Sequence, residues 1–310
     1  MNFVTMEYFL AVANKRNFTK AAEELHITQQ TLSAHIASLE KELDCKLIIR
    51  SKPLELTYEG EVFFQHAANI YDSWQCMWNE FNDLTYNQRG KLLVGVNHSR
   101  SESIMPLVIE NFHKNYPNIE VRIIEGVHDT IHKNLLNRDI DIAIARFPSS
   151  IPGIEIEKFY KEEIVMCVPN KIMETVTEEV DDVLDDISPF SDCPFLVSNS
   201  NDISGQICMS MIESAGFLPN IKMRSNNTIT LLHSCLRGLG ICFCTRSLLF
   251  SILPQGQMEN MRVFRLNPKQ MNSSYNIFFG YRKNSYQWKI ILEFIRIAEQ
   301  TKNMMGYDAF

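Results

Sequence analysis

No stretch of the chain approaches the ~20 consecutive apolar residues that a membrane-spanning helix needs. The short motifs of common catalysts are missing as well: G-x-S-x-G, the P-loop, G-x-G-x-x-G and H-E-x-x-H. Gly238-Leu239-Gly240 lacks the third glycine and precedes a strand-like run, so it reads as a turn. Surplus positive charge is also absent. The 310 residues hold 30 Lys and Arg against 37 Asp and Glu, a net charge of −7, which does not advertise a polyanionic partner. The N-terminus, MNFVTMEYFL, has no basic segment followed by a clean apolar core, so export is not expected and a cytoplasmic setting is. All eight cysteines would then stay reduced, with free buried thiols the default.

What remains is an ordinary water-soluble composition, 45% hydrophobic and 22% charged, in a chain long enough for two or more domains. One stretch organises it. Residues 18–43, FTKAAEELHITQQTLSAHIASLEKEL, read as a short helix, a tight turn at His26-Ile27 and a longer helix. Thr19 is placed to cap the first helix and Thr28 the second. In the second helix Leu32, Ile36 and Leu39 form one stripe that must pack inward. The opposite face carries Gln30, Ser33, Ala34, Ala37 and Ser38, with Gln29 in the first turn. Such a face fits a DNA major groove, where Gln pairs bidentately with adenine.

Bulk charge does not help this reading. Within the first sixty residues seven basic side chains face eight acidic ones. Placement must do the work: Lys20 starts a helix, and Arg50 and Lys52 sit in a hairpin beyond it. A single copy would bind DNA modestly, so a paired copy is physically useful.

The first sixty residues resemble the N-terminal winged helix-turn-helix of LysR-type transcriptional regulators. The match rests on Phe9, Phe18-Thr19, Ala21-Ala22, Leu32-Ser33, Ile36, Leu39-Glu40, Leu43, Leu47, Arg50, Leu56-Thr57 and Gly60. Departures fall where DNA is read. Gln30 stands where the family usually has Pro, Ala34 where Arg is frequent and His35 where Gln is common, and the wing is about one residue shorter. DNA contacts are expected from Thr19, Lys20, Thr28, Gln29, Gln30, Ser33, Ala34, His35, Arg50 and Lys52.

From Thr57 to about Leu84 there is no Gly after Gly60 and no Pro. Phe63, Ala67, Ile70, Trp74, Met77, Phe81 and Leu84 recur in steps of four and three, a heptad seam. The resemblance makes this the dimerising linker helix, with Phe63, Ile70, Trp74, Met77 and Phe81 across the interface and a tetramer as the larger assembly. Asn87 to Gly90 would end it as a hinge.

Beyond Gly90 short β-branched runs alternate with helical stretches, the pattern of parallel α/β units. Strands are expected at 92–96, 119–124, 140–145, 164–168, 194–197, 221–225, 240–244 and 276–281. Helices are expected at about 103–115, 130–137, 205–215, 228–237 and 286–301. This region also resembles the family's effector domain, through Gly95, Pro106, Phe112, Tyr116-Pro117, Glu125-Gly126, residues 141–144 and 238–241, and Tyr281-Arg282-Lys283. Here Arg138 replaces a usual Gly and Thr245 a usual Pro. The expected class is α+β multidomain: a winged helix-turn-helix over 1–58, linker helix and hinge over 59–90, and an effector domain over 91–310. The latter implies two α/β lobes like those of periplasmic binding proteins, lobe I at 91–162 and 267–310 and lobe II at 163–266.

In open α/β sheets ligands bind beyond the carboxyl ends of strands. That rule selects Asn97, His98, Ser99, Arg100 and Ser101 after one strand, His128 and Thr130 after the next, and Arg146 and Phe147 after the third. On the other lobe it selects Ser198, Asn199, Ser200, Asn226 and Phe243. The expected effector is a small organic acid or similar metabolite. No cofactor, metal or catalytic residue is assigned. A zinc site from His233, Cys235, Cys242 and Cys244 fails, because residues two apart on a helix point about 200° apart. Two alternatives remain. A thiol switch would use Cys193 with Cys208, or Cys235 with Cys242 or Cys244; Cys193 lacks an obvious cation beside it, and Cys235, two residues from Arg237, stands on an apolar helix where burial is expected. A stand-alone solute-binding protein would leave residues 1–88 without a use.

Overall fold

The computed structural model describes residues 2–51, 53–84, 90–148, 150–199, 202–253, 260–267, 273–283 and 289–304. The chain divides into two compact units, one built on residues 1–88 and the other on residues 89–283 with 289–310.

The first unit begins with α1 (Phe3–Lys15), α2 (Phe18–Glu24) and α3 (Gln29–Glu42). Strands β1 (Ile48–Ile49) and β2 (Glu55–Leu56) pair antiparallel as a wing, and α4 (Tyr58–Leu84) follows. The inward stripe forms as expected: Leu32, Ile36 and Leu39 are essentially inaccessible, packed with Phe9, Val12, Ala21 and Leu47. Each such side chain contributes about 1.5–3 kcal/mol of burial. Thr28 caps α3 by accepting from Thr31 N at 3.1 Å. The cap of α2 differs from expectation. It is Asn17, whose Oδ1 accepts from Thr19 N and Lys20 N, so Thr19 is the first turn rather than the cap.

Two contacts fix the segment leading into the wing, one to α3 and one to α4. Glu40 is buried in its last turn and accepts from Leu47 N (3.0 Å), Ile48 N (3.2 Å) and Lys46 Nζ (2.8 Å). Burial alone pushes a carboxyl pKa up, but these hydrogen bonds outweigh it and hold Glu40 below its usual value. Gly60 is required by close approach: a Cβ there would lie 2.0 Å from Leu47 O.

The seam on α4 is split. Phe63 meets Phe9 edge-on at 4.9 Å and Trp74 meets Phe3 at 6.0 Å, so both pack within the unit. Ala67 is buried, whereas Ile70, Met77 and Phe81 are exposed.

The second unit runs β3 (Gly90–Val96), α5 (His98–Ser103), α6 (Met105–Asn115), β4 (Ile119–Glu125), α7 (His128–Leu136), β5 (Ile142–Ala145) and β6 (Ile154–Pro169). It continues with α8 (Asn170–Met173), β7 (Val183–Leu184), β8 (Pro194–Ser198), α9 (Ile203–Ala215), β9 (Asn220–Ser225), α10 (Thr228–Leu236), β10 (Ile241–Thr245) and α11 (Arg246–Ile252). It closes with β11 (Met261–Leu266), β12 (Ser274–Arg282) and α12 (Lys289–Met304). Lobe I is ordered β4-β3-β5-β12-β6, with β3 parallel to β4 and β5 and with β12 antiparallel to its neighbours. Lobe II places β10, β8 and β9 on one side of β6 and β11 with β7 on the other.

Strand β6 serves both lobes. Ile154–Glu163 pair with β12, and the residues from Ile164 onward pair with β10 and β11. Only its second half was expected, because IEIEKFYKEE mixes apolar residues with six charges and mimics a loop. Strand β11 and helix α11 were likewise not expected. The polar run after β3 is the first turn of α5 rather than a loop, capped by Asn97, whose Oδ1 accepts from Arg100 N at 3.1 Å. No helix among the described residues is long and apolar enough to cross a membrane.

Candidate functional site

In the first unit, the outward face of α3 leaves Gln29, Gln30 and Ala34 exposed, with Ser33 and His35 half-buried. Ser33 Oγ accepts from Arg50 Nη2 at 3.1 Å, and the Arg50 guanidinium lies 5.2 Å from the Phe18 ring centroid. The wing cation is thereby folded against the outward face of α3. Thr19 donates to Gln29 Oε1 at 3.4 Å, joining the starts of α2 and α3. His35 packs edge-on against Tyr8 at 5.0 Å. Lys20 is exposed at the start of α2. Lys52 lies outside the described residues.

In the second unit a cleft of about 570 Å³ opens between the lobes. Lobe I contributes Asn97, His98 and Ser99, then Gly126, Val127, His128 and Asp129, then Arg146. Lobe II contributes Ser198 and Asn199, Asp202 and Gln206, and Asn226 to Ile229. The loops after β3, β4, β5, β8 and β9 thus meet at one place, as the strand-end rule requires. Ser200 lies outside the described residues.

Five expected residues do not line this cleft. Phe243 is buried among Ile207, Cys208 and Met211, because β10 is an interior strand covered on both faces. Phe147 packs against the lobe I core and lies 4.7 Å from the His132 ring. Ser101 and Thr130 stand on helix turns outside the lining. Arg100 is 2% exposed and sits behind the wall. Burial disfavours its charge, but Tyr160, Tyr275 and Glu162 around it outweigh that and raise its pKa. Glu162 lies in the same buried pocket, where burial pushes its carboxyl up while Ser247 Oγ donates to it at 2.6 Å. Arg100 Nε and Nη1 have no hydrogen-bond partner among the described residues.

The lobe I wall sets Arg146 and Asp129 at the cleft, with Arg100 buried behind them. Burial, then Arg100, Arg146 and His132, push the His128 pKa down to about 3, so its ring is neutral at ordinary pH. Arg146 N donates to His128 Nδ1 at 3.4 Å, and the Arg146 guanidinium lies over the Tyr275 ring at 5.2 Å. His98 contacts Glu125 at 2.6 Å. On the lobe II wall, Asn199 Nδ2 donates to Asn226 Oδ1, while Asn227 caps α10 through Ile229 N and Thr230 N. Asp129, Asp202, Gln206 and Ile229 were not expected from the sequence. Each sits in a helix start after a strand, so applying the strand-end rule to the following helix turn would have found them.

Cys193, Cys208, Cys235, Cys242 and Cys244 are free and buried. Burial pushes the Cys208 thiol up to about 12. Cys167 Sγ and Cys244 Sγ approach to 3.7 Å inside an apolar cluster. No group of metal-ligating side chains was found among the described residues.

Residues 3–61 match the family described as bacterial regulatory helix-turn-helix protein, lysR family, and residues 87–302 match the LysR substrate binding domain. The chain belongs to the LysR family. It is therefore a LysR-type DNA-binding transcriptional regulator with an effector-binding domain. A probable RuBisCO transcriptional regulator of Phaeodactylum tricornutum is 36% identical over 163 residues, 51% of this chain and 53% of that protein. The HTH-type transcriptional regulator CzcR of Bacillus subtilis is 26% identical over 305 residues, 98% of this chain and 99% of CzcR. The fold also matches full-length CbnR complexed with its target DNA, at 20% identity and a TM-score of 0.57, covering 97% of this chain and 100% of that one. Family members bind DNA and small-molecule effectors, and the relatives are transcriptional regulators rather than enzymes.

Proposed function

We propose that this regulator works in the cytoplasm as a homodimer, assembling further to a tetramer, and that it senses a small organic acid between the lobes of its effector domain. Its working parts are a DNA-reading head over 1–58, a linker and hinge over 59–90 and the effector domain over 91–310. The head reads DNA through Thr19, Lys20, Thr28, Gln29, Gln30, Ser33, Ala34, His35, Arg50 and Lys52. Phe63 and Trp74 are half-buried against α1, so pairing rests mainly on the exposed Ile70, Met77 and Phe81.

The observation that carries the effector reading is a cation on the lobe I wall. Arg146 pairs with no carboxylate among the described residues and faces the cleft with Arg100 behind it. An anion there gains charge-assisted hydrogen bonds that nothing else in the wall supplies. Ligand held by both walls favours one lobe arrangement over another, and in a dimer that changes the spacing of the two heads on DNA. We assign no catalytic activity, and the buried thiols favour no redox switch.

The test is a gel shift on DNA from upstream of the protein's own gene, repeated over rising salt. A retarded band that weakens steeply with salt is expected; a chain that never shifts this DNA is not a regulator of that promoter. Ile70→Glu combined with Met77→Glu should convert dimer to monomer in sedimentation. An unchanged profile would mean the α4 face is not the pairing surface.

A further inference from the structure

Each wall of the cleft carries a charged side chain with no salt-bridge partner among the described residues, Arg146 on lobe I and Asp202 on lobe II. On lobe I, α7 starts at the cleft with no side chain capping its first amides, so its N–H groups are open to an acceptor. Arg146 stands beside that helix start. On lobe II, Asp202 precedes α9 and faces the cleft; its carboxylate accepts from Ser204 Oγ and pairs with no cation among the described residues. Gly205 seats this turn tightly, because a Cβ there would lie 2.5 Å from Asn199 O. An independent observation points to a ligand. Ser198 is 4% exposed and lines the cleft, yet its Oγ has no hydrogen-bond partner among the described residues. Buried hydroxyls ordinarily find one.

The geometry points to a small α-amino acid as the effector, with its carboxylate on the α7 amides and Arg146 and its ammonium on Asp202. This rests on reading the cleft as the effector site and narrows the chemistry expected there. A dicarboxylate would set its second charge against Asp202. A plain monoacid would desolvate Asp202 without compensation, and a plain amine would do the same to Arg146. Asp129 is the rival ammonium partner, but it is exposed and shares the wall that holds the carboxylate. Asp202 is half-buried on the facing wall, so a ligand spanning both charges ties the lobes together. The cleft volume, about 570 Å³, suits a small metabolite.

The experiment uses the full-length protein in a thermal-shift screen with the twenty proteinogenic L-amino acids, followed by calorimetry on any hit. Each hit is compared with its des-amino carboxylic acid and its decarboxylated amine. At least one amino acid should bind, with both analogues at least tenfold weaker. Asp202→Asn should erase the preference over the des-amino acid while that acid still binds, and Asp202→Glu should retain it. No binding by any amino acid, or equal binding by the des-amino acid, overturns the proposal. So does loss of the preference in Asp129→Asn rather than Asp202→Asn. If organic acids bind and Arg146→Gln removes them, only the ammonium assignment falls. If ligands bind undisturbed by either Arg146→Gln or Asp202→Asn, the cleft reading itself falls.

Discussion

Glu40 in the head and Ser198 in the cleft are both buried polar side chains, but their surroundings differ. Glu40 receives hydrogen bonds from two backbone amides and a lysine. Ser198 receives none, and Arg100 behind the same cleft leaves two guanidinium nitrogens unmatched. A buried polar group left without a partner costs free energy, so folds retain few of them. In the head, buried polarity is completed by the chain itself and fixes the wing on α3. In the cleft it is left open where the strand-end loops meet. The difference separates buried polar residues that the fold itself satisfies from those it leaves unmatched.

The sharpest way to break this contrast is to remove the satisfied group. Glu40→Ala orphans two buried amides and should destabilise the head by about 2–4 kcal/mol, read from urea or thermal unfolding. The same contact has a pH signature. Its native pKa is lowered, so its stabilisation is fully present above the usual carboxylate range of about 4–4.5 and is lost as pH falls through the lowered native value. The stability gap between the wild-type protein and Glu40→Gln should therefore narrow on acidification below that range. A gap that stayed constant would show that the Glu40 charge plays no part in holding the wing.

A surface change in the head should act on recognition and leave folding alone. Ser33 accepts from Arg50, and both lie on the outward side of α3. Ser33→Arg sets two guanidiniums together and should shift discrimination between half-site variants by about 1–3 kcal/mol. The melting temperature should barely move, and the dimer should persist in sedimentation. If the dimer dissociates while base preference stays the same, that face of α3 is not the DNA face.

How far the sequence went follows the same division. The head was legible because its signals are local: the Leu32, Ile36 and Leu39 stripe, the Thr28 cap and a turn that puts His26 at φ 53°. The cleft was legible only as strand ends, because its walls are brought together by pairings more than a hundred residues apart in the chain. Strand β12 lies beside β5 and β6, and no local pattern near Arg100 announces Glu162 or Tyr275. Phe243 was misplaced because the end of a strand does not reveal which layer covers it. Arg138, at the position where the family resemblance leads one to expect glycine, adopts the left-handed backbone at φ 72°, so the turn forms without a glycine.

The smallest expected effect bears most directly on the comparison. Ser198→Ala removes a hydroxyl that has no partner among the described residues, in a residue 4% exposed. A hydrogen-bonded serine would cost stability on such a change, whereas deleting an unmatched one removes a desolvation penalty. The ligand-free protein should therefore melt unchanged or slightly higher, with a gain of under about 1 kcal/mol. If the ligand completes this hydroxyl, as proposed, effector affinity should fall in the same variant. A loss of stability approaching that of Glu40→Ala would mean Ser198 is held by the fold, and the distinction between the two regions would collapse.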